Sequence, residues 1–290
     1  MTIINLNKLI MKNFNKIFKS ILTLLIIGLA FNSCTDNDEP LQINDTSQDT
    51  IELARASEVD AASSSLEDIV IEVYEFDEAN PNGRVQPSTL PDCVTITVAV
   101  QQGFREVTID FGTEGCLVRG HIFKGQIVFS YTRDMEAQEI LITYDLIDFF
   151  FDNKNILGSR TILKEKENDN GNPQFTHTLD LTVIWPSGVQ ASRSGTKIKE
   201  WVEGFGSGIF SDNVFEVTGN WTTTFVNGNT HTYEVLTPLR REVICTYFVS
   251  GTVDIQRTNF GGIFDYGNGD CDNEALFTFN NGTEITITLN

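Results

Sequence analysis

From Ile69 to the C-terminus the apolar residues recur at a spacing of two. In VTITVAV (94–100), Val94, Ile96, Val98 and Val100 fall on one face and the threonines on the other. The same alternation runs through 107–111, 126–132, 139–151, 178–185, 215–226, 230–236, 245–255, 275–280 and 284–289. A period of two sets one face of a strand on a core and the other in water. Val, Ile, Thr, Phe and Tyr dominate these runs, as strands prefer. Asn227-Gly228 and Asn281-Gly282 are hairpin turn signals between them. No long segment of helical period follows residue 70. The expected fold is therefore all-β: an antiparallel meander of short strands, closed as a sandwich or barrel or left as an extended curved sheet.

Two stretches of the chain look alike. Cys93 opens the first, which ends Asp110-Phe111-Gly112-Thr113-Glu114-Gly115-Cys116; Cys245 opens the second, which ends Asp265-Tyr266-Gly267-Asn268-Gly269-Asp270-Cys271. Each reads as a Cys opening a strand, then a second strand whose glycine-containing turn closes on another Cys. Two antiparallel strands bring such residues within bridging distance. Four cysteines allow three connectivities, and the repeat favours Cys93–Cys116 and Cys245–Cys271. The expected organisation has two related halves, residues 67–168 and 169–290, able to form one continuous β domain. The polar run 165–174 marks the boundary between them.

The N-terminus reads differently. Lys8, Lys12, Lys16 and Lys19 precede a short apolar run, 21–31, and then Ser33-Cys34. The run is shorter than the ~20 apolar residues of a membrane span and has the order of an export signal. A small residue followed by Cys34 resembles the cleavage box of bacterial lipoproteins, which implies a signal peptide over 1–33 and a lipid on Cys34. Residues 34–66 are expected to be an acidic disordered tether, with room for a short helix over 54–66. Removing the four leader lysines takes the basic count from 20 to 16 against 40 acidic residues, a net charge of −24. That surface excludes nucleic acid as a partner. The cluster Asp36, Asp38, Glu39 resembles the signal that sends Bacteroidota lipoproteins to the outer face of the outer membrane. Four further cysteines in an exported chain fit two disulfides.

Cys93-Val94-Thr95-Ile96, Ile109 to Cys116, Gly120 to Ile127, Trp201-Val202-Glu203-Gly204, Thr218-Gly219-Asn220, Pro238-Leu239 and Asp265 to Ala275 together resemble a family of uncharacterised flavobacterial surface lipoproteins, from about residue 90 to the end. The resemblance implies a surface location and a β fold. It implies no activity.

Chemistry-bearing motifs are sparse. His121, His177 and His231 stand far apart, without metal-ligand spacing. No nucleophile elbow, P-loop or dinucleotide fingerprint occurs. Gly204-Phe205-Gly206-Ser207-Gly208 reads as a loop. Asp265, Asn268, Asp270 and Asp272 crowd one turn, and oxygen ligands at that spacing suit Ca²⁺; Asp and Asn also favour turns by bonding their own backbone. Trp185, Trp201 and Trp221 suit either a sugar-stacking platform or the core. The expected function is a non-enzymatic adhesive, scaffold or envelope accessory module with a glycan or protein partner. Its alternatives are a carbohydrate-binding accessory protein of a polysaccharide-uptake system and a glycoside hydrolase using paired carboxylates.

Overall fold

The computed structural model describes residues 43–80, 87, 89–257 and 260–289. Cys34 and the expected signal peptide lie outside them. One helix, α1 (Ile43–Ala79), precedes fifteen strands: β1 (Thr95–Gln101), β2 (Phe104–Asp110), β3 (Cys116–Val118), β4 (His121–Thr132), β5 (Glu139–Phe151), β6 (Lys154–Leu157), β7 (Ser159–Glu165), β8 (Gln174–Ile184), β9 (Gln190–Glu203), β10 (Val214–Phe225), β11 (Thr230–Glu242), β12 (Ser250–Gln256), β13 (Gly261–Asn268), β14 (Glu274–Phe279) and β15 (Glu284–Thr288). All fifteen join one antiparallel sheet that follows chain order from β1 to β15, with β3 beside β4 and β7 between β5 and β8. The all-β meander is thus present as a single extended curved sheet. The two expected halves are continuous in it, because β7 pairs β8 across the polar run at 165–174.

The sheet buries one face, and α1 covers it. Strand alternation is clean: in β8 Phe175, His177, Leu179, Leu181 and Val183 point inward while the residues between them point out. The inward face packs on Val59, Leu66, Ile69, Val70, Val73 and Tyr74 of the helix. Asp77 of α1 meets Arg105 of β2 at 2.8 Å and the Tyr131 hydroxyl of β4 at 2.6 Å. Asp68 meets Lys199 of β9 at 2.5 Å and Arg241 of β11 at 3.0 Å. Glu52 meets His231 of β11 at 3.2 Å. From Glu52 to Asp77 the helix is buried on almost every side, which a flat sheet against one side cannot achieve, so the sheet curls around it.

The helix replaces two expectations. Residues 43–66 are not a disordered tether, and residues 67–79 are not the start of the first β half; both belong to α1. From Glu52 to Asp77 it is buried on almost every side, although it carries nine carboxylates over Glu52–Glu78. A helix buried all round is normally apolar all round. Here cations on the strands and on the turns at either end of β4 meet its carboxylates instead. Arg193 pairs with Asp60, Lys164 with Glu75, Arg119 with Glu72, and Arg133 with Glu78.

Cys93 and Cys116 are bridged, as are Cys245 and Cys271. The two halves differ at both cysteines: Cys93 sits two residues before β1 and Cys116 begins β3, whereas Cys245 sits in the turn after β11, five residues before β12, and Cys271 lies between β13 and β14. The Cys245 carbonyl accepts a hydrogen bond from Arg241, which holds that segment against the helix. The 26-residue separation implies about 3 kcal/mol from the second bridge in the chain-entropy model. Cys245→Ser/Cys271→Ser should lower unfolding free energy by about that amount in a denaturant titration; a loss below about 1 kcal/mol would contradict it.

One glycine sets the local curvature. At Gly125 the β4–β5 register shifts between Lys124 and Gln126, and φ is +81°. A Cβ there would stand 2.1 Å from the Asp148 carbonyl oxygen. Only glycine allows that approach and that backbone angle.

Candidate binding cleft at the C-terminal end of the helix

The turn after β9 contains Gly204 to Gly208, and three of these glycines have positive φ. They turn the chain away from the sheet before it re-enters as β10. This loop and the last turns of α1 enclose a cleft of about 430 Å³. Its aromatic and aliphatic lining comes from Phe76, Trp201, Phe205 and Ile209. Phe205 and Ile209 are each 57% exposed, which is high for large apolar side chains beside a cavity. Phe205 packs edge-on against Trp201, with ring centroids 5.0 Å apart.

The polar lining is rich in acceptors. Glu72 and Glu75 face the cleft from one wall, three residues apart on α1. Burial raises the pKa of both above the ordinary carboxylate value, against the pull of Arg119 on Glu72 and Lys164 on Glu75. The Thr89 hydroxyl donates to Glu72. Asn213 is buried, and its side-chain oxygen has no hydrogen-bonding partner among the described residues. Thr89 also lines a second cavity of about 310 Å³, where Arg119, His121 and Arg241 are found. These groups are already engaged: His121 Nδ1 lies 2.6 Å from Asp152, Arg241 holds Asp68, and Arg119 holds Glu72.

The tryptophans do not form a joint stacking platform. Trp185 is 9% exposed and its indole N–H donates to Glu58 at 2.6 Å. Trp221 is 3% exposed, stacked on Tyr233 at 5.6 Å and flanked by Arg193 and Lys197. Both face the helix: Trp185 lies against Arg55 and Glu58 of α1, and Trp221 shares a core cluster with Leu53 and Ala56. Trp201 alone of the three borders the cleft, and it is 5% exposed with its N–H given to the Glu203 carbonyl.

Of the residues considered for Ca²⁺, Asp265 accepts from the Gly267 amide at 2.9 Å and Asp272 from the Glu274 amide at 2.9 Å. Asn268 and Asp270 are exposed beside them. These carboxylates shape their own turns. Among the described residues, no group of three or more His, Cys, Asp or Glu side chains is placed to hold a metal ion. The three histidines all lie on strands: His121 on β4, His177 on β8 and His231 on β11.

Sequence reading passed over Glu72 and Glu75, because they fall where strands were expected, and over Phe205 and Ile209, because a glycine-rich loop carries no periodicity. The exposed aromatic within GFGSG was the available signal. Among the described residues no helix is long and apolar enough to cross a membrane. No family model matches the chain, and neither a characterised protein nor a solved structure matches it.

Proposed function

We propose that this protein is a non-enzymatic, lipid-anchored module of the outer-membrane surface that holds a glycan end in the cleft beside Phe205. The carrying observation is the cleft's chemistry. An exposed aromatic ring and an isoleucine offer a face for the C–H side of a sugar, and Glu72, Glu75, Asn213 and Thr89 offer acceptors to its hydroxyls. A cavity of about 430 Å³ suits a sugar-sized ligand.

The placement of the two carboxylates supports binding over hydrolysis. Glycosidase carboxylates flank the scissile bond from opposite sides. Glu72 and Glu75 share one wall, each tied to a cation.

The test is a thermal-shift and calorimetry screen against polysaccharides, with Ca²⁺ and with EDTA. A glycan at a hundred times its dissociation constant should stabilise the fold by about 2.7 kcal/mol. Phe205→Ala should weaken that binding at least tenfold, about 1.4 kcal/mol, with the unliganded melting temperature unchanged. Binding that Phe205→Ala leaves intact would move the site elsewhere. A flat screen would favour an adhesive or scaffold role with a protein partner. Loss of binding in EDTA would bring the Asp265–Asp272 turn into the site.

A further inference from the structure

Arg119 and Gly120 form the turn between β3 and β4. Val118 pairs with His121, so the loop has two residues, and both have positive φ, +49° at Arg119 and +87° at Gly120. Such turns favour asparagine first and glycine second. Turn geometry therefore does not account for an arginine at 119. Its side chain runs to Glu72 of α1 and lines the cavity of about 310 Å³. His121, just after the turn, lines the same cavity. Asp152 fixes its ring: one carboxylate oxygen lies 2.6 Å from Nδ1, and the other accepts from the Ile122 amide at 2.8 Å. Nε2 has no hydrogen-bonding partner among the described residues, and His121 is only 7% exposed. Arg241 enters the cavity from β11. A disulfide secures each of two walls. Cys245 lines the cavity and is bridged to Cys271; Cys116, bridged to Cys93, shares β3 with the lining residue Val118.

The cations at this cavity are engaged, yet they outnumber their carboxylates. Arg119 has Glu72, while Arg241 and Lys199 share Asp68. Glu67 does not cancel the excess, because it stands 3.9 Å from Lys199 and equally far from Arg160. An uncompensated buried charge is costly, and a guanidinium fork matches a carboxylate in shape and charge. Ile69, Phe123 and Val243 supply apolar walls, which suit a carbon body better than an inorganic ion.

We propose that this cavity binds a small organic carboxylate, its charged end toward Arg119, Arg241 and His121 Nε2 and its carbon body against Ile69, Phe123 and Val243. Ile244, which lines the cavity and is 76% exposed, forms its rim. Thr89 also lines the cleft beside Phe205, but the carboxylate site stands independently of the function proposed for that cleft.

The test is calorimetry on the full chain in detergent at fixed ionic strength. Butanoate and galacturonate are each compared with a neutral twin, butanol and galactose, and with sulfate as an inorganic anion. The expected result is saturable binding of at least one carboxylate, about tenfold or more tighter than its twin and than sulfate. Butanoate alone would identify a free organic acid as the ligand, and galacturonate alone an acidic sugar. Arg119→Gln should weaken binding about tenfold or more. Ile244→Glu adds a like charge at the exposed rim without touching the core; it should weaken binding roughly threefold or more, and Ile244→Lys should not weaken it. Phe205→Ala, in the neighbouring cleft, should leave it unchanged. The proposal is overturned if neither carboxylate binds, or if a neutral twin or sulfate binds as tightly. It is equally overturned by binding that Ile244→Glu leaves intact, or by binding that Phe205→Ala abolishes.

Discussion

Replacing Asp68 by alanine is expected to cost the fold about 3–5 kcal/mol, close to the stability of many whole domains. Asp68 is fully buried, and its two oxygens bind Lys199 at 2.5 Å and Arg241 at 3.1 Å through Nε. Burial alone would push its pKa up. Lys199 and Arg241 outweigh that and hold the carboxyl well below the usual carboxylate range. Alanine would leave two interior cations facing apolar side chains. Among the described residues Lys199 would keep Glu67, at 3.9 Å, and the Phe215 ring, and Arg241 would keep backbone carbonyls. The comparison that isolates the mechanism is Asp68→Leu/Lys199→Met/Arg241→Met. Well-packed apolar replacement of a buried ionic group is often neutral or better. The triple variant should therefore recover most of what Asp68→Ala loses. Denaturant unfolding followed by circular dichroism measures both. An Asp68→Ala loss below about 1 kcal/mol would show that the helix does not depend on this pair.

Acid should unfold the protein in two stages, and His177 should carry most of the first, with His231 adding to it. His177 is 1% exposed, and neither ring nitrogen has a hydrogen-bonding partner among the described residues. Burial lowers its pKa from 6.5 to about 3; Glu67 pulls the other way, while Lys199, Lys197 and Arg160 add to the lowering. The folded state thus keeps a neutral imidazole where the unfolded chain takes up a proton. A depressed pKa gives stability that is whole above pH 6.5 and drains away as pH falls toward 3. Glu67 follows lower down. Burial raises its pKa, but Lys197, His177, Lys199 and Arg160 together bring it from 4.5 to about 2. Its contribution is whole above pH 4.5 and is lost below it. Glu72 and Glu75, whose pKa values are raised above 4.5, act in the opposite sense above that pH and offset part of the first stage. Several kcal/mol should disappear between pH 6.5 and 3. His177→Leu should remove most of the first stage, leaving the smaller fall due to His231, whose pKa burial also lowers, and at neutral pH it should cost little. A His177→Leu urea midpoint that falls as steeply as that of the unaltered protein between pH 6.5 and about 4.5 would assign the early loss to another group.

The same feature that makes these effects large made half the interior illegible in sequence. β9 reads QASRSGTKIKEWVE, and its inward positions include Arg193, Lys197 and Lys199. Hydrophobic alternation cannot reveal a strand whose buried face is charged. β7 hides in the same way behind Arg160 and Lys164. Their partners on α1 were equally hidden, since an acidic run without an apolar stripe reads as a solvated tether. Each of the two segments looks unfit for burial until the other is beside it.

What the sequence determined alone was the local pattern. Period-two alternation specified antiparallel strands, Asn-Gly specified hairpins, and the repeated Cys spacing specified two bridges that the structure contains. Each is set by residues close in the chain. Tertiary structure decided everything that depends on residues brought together from a distance: the curl of one sheet around α1, the burial of Trp185 and Trp221, and the cleft between Glu72 and Phe205. The physical reason is that a carboxylate or a lysine has no fixed preference for the interior. Alone it belongs in water, and only a partner at about 3 Å, supplied here by residues more than a hundred positions away, makes its burial tolerable.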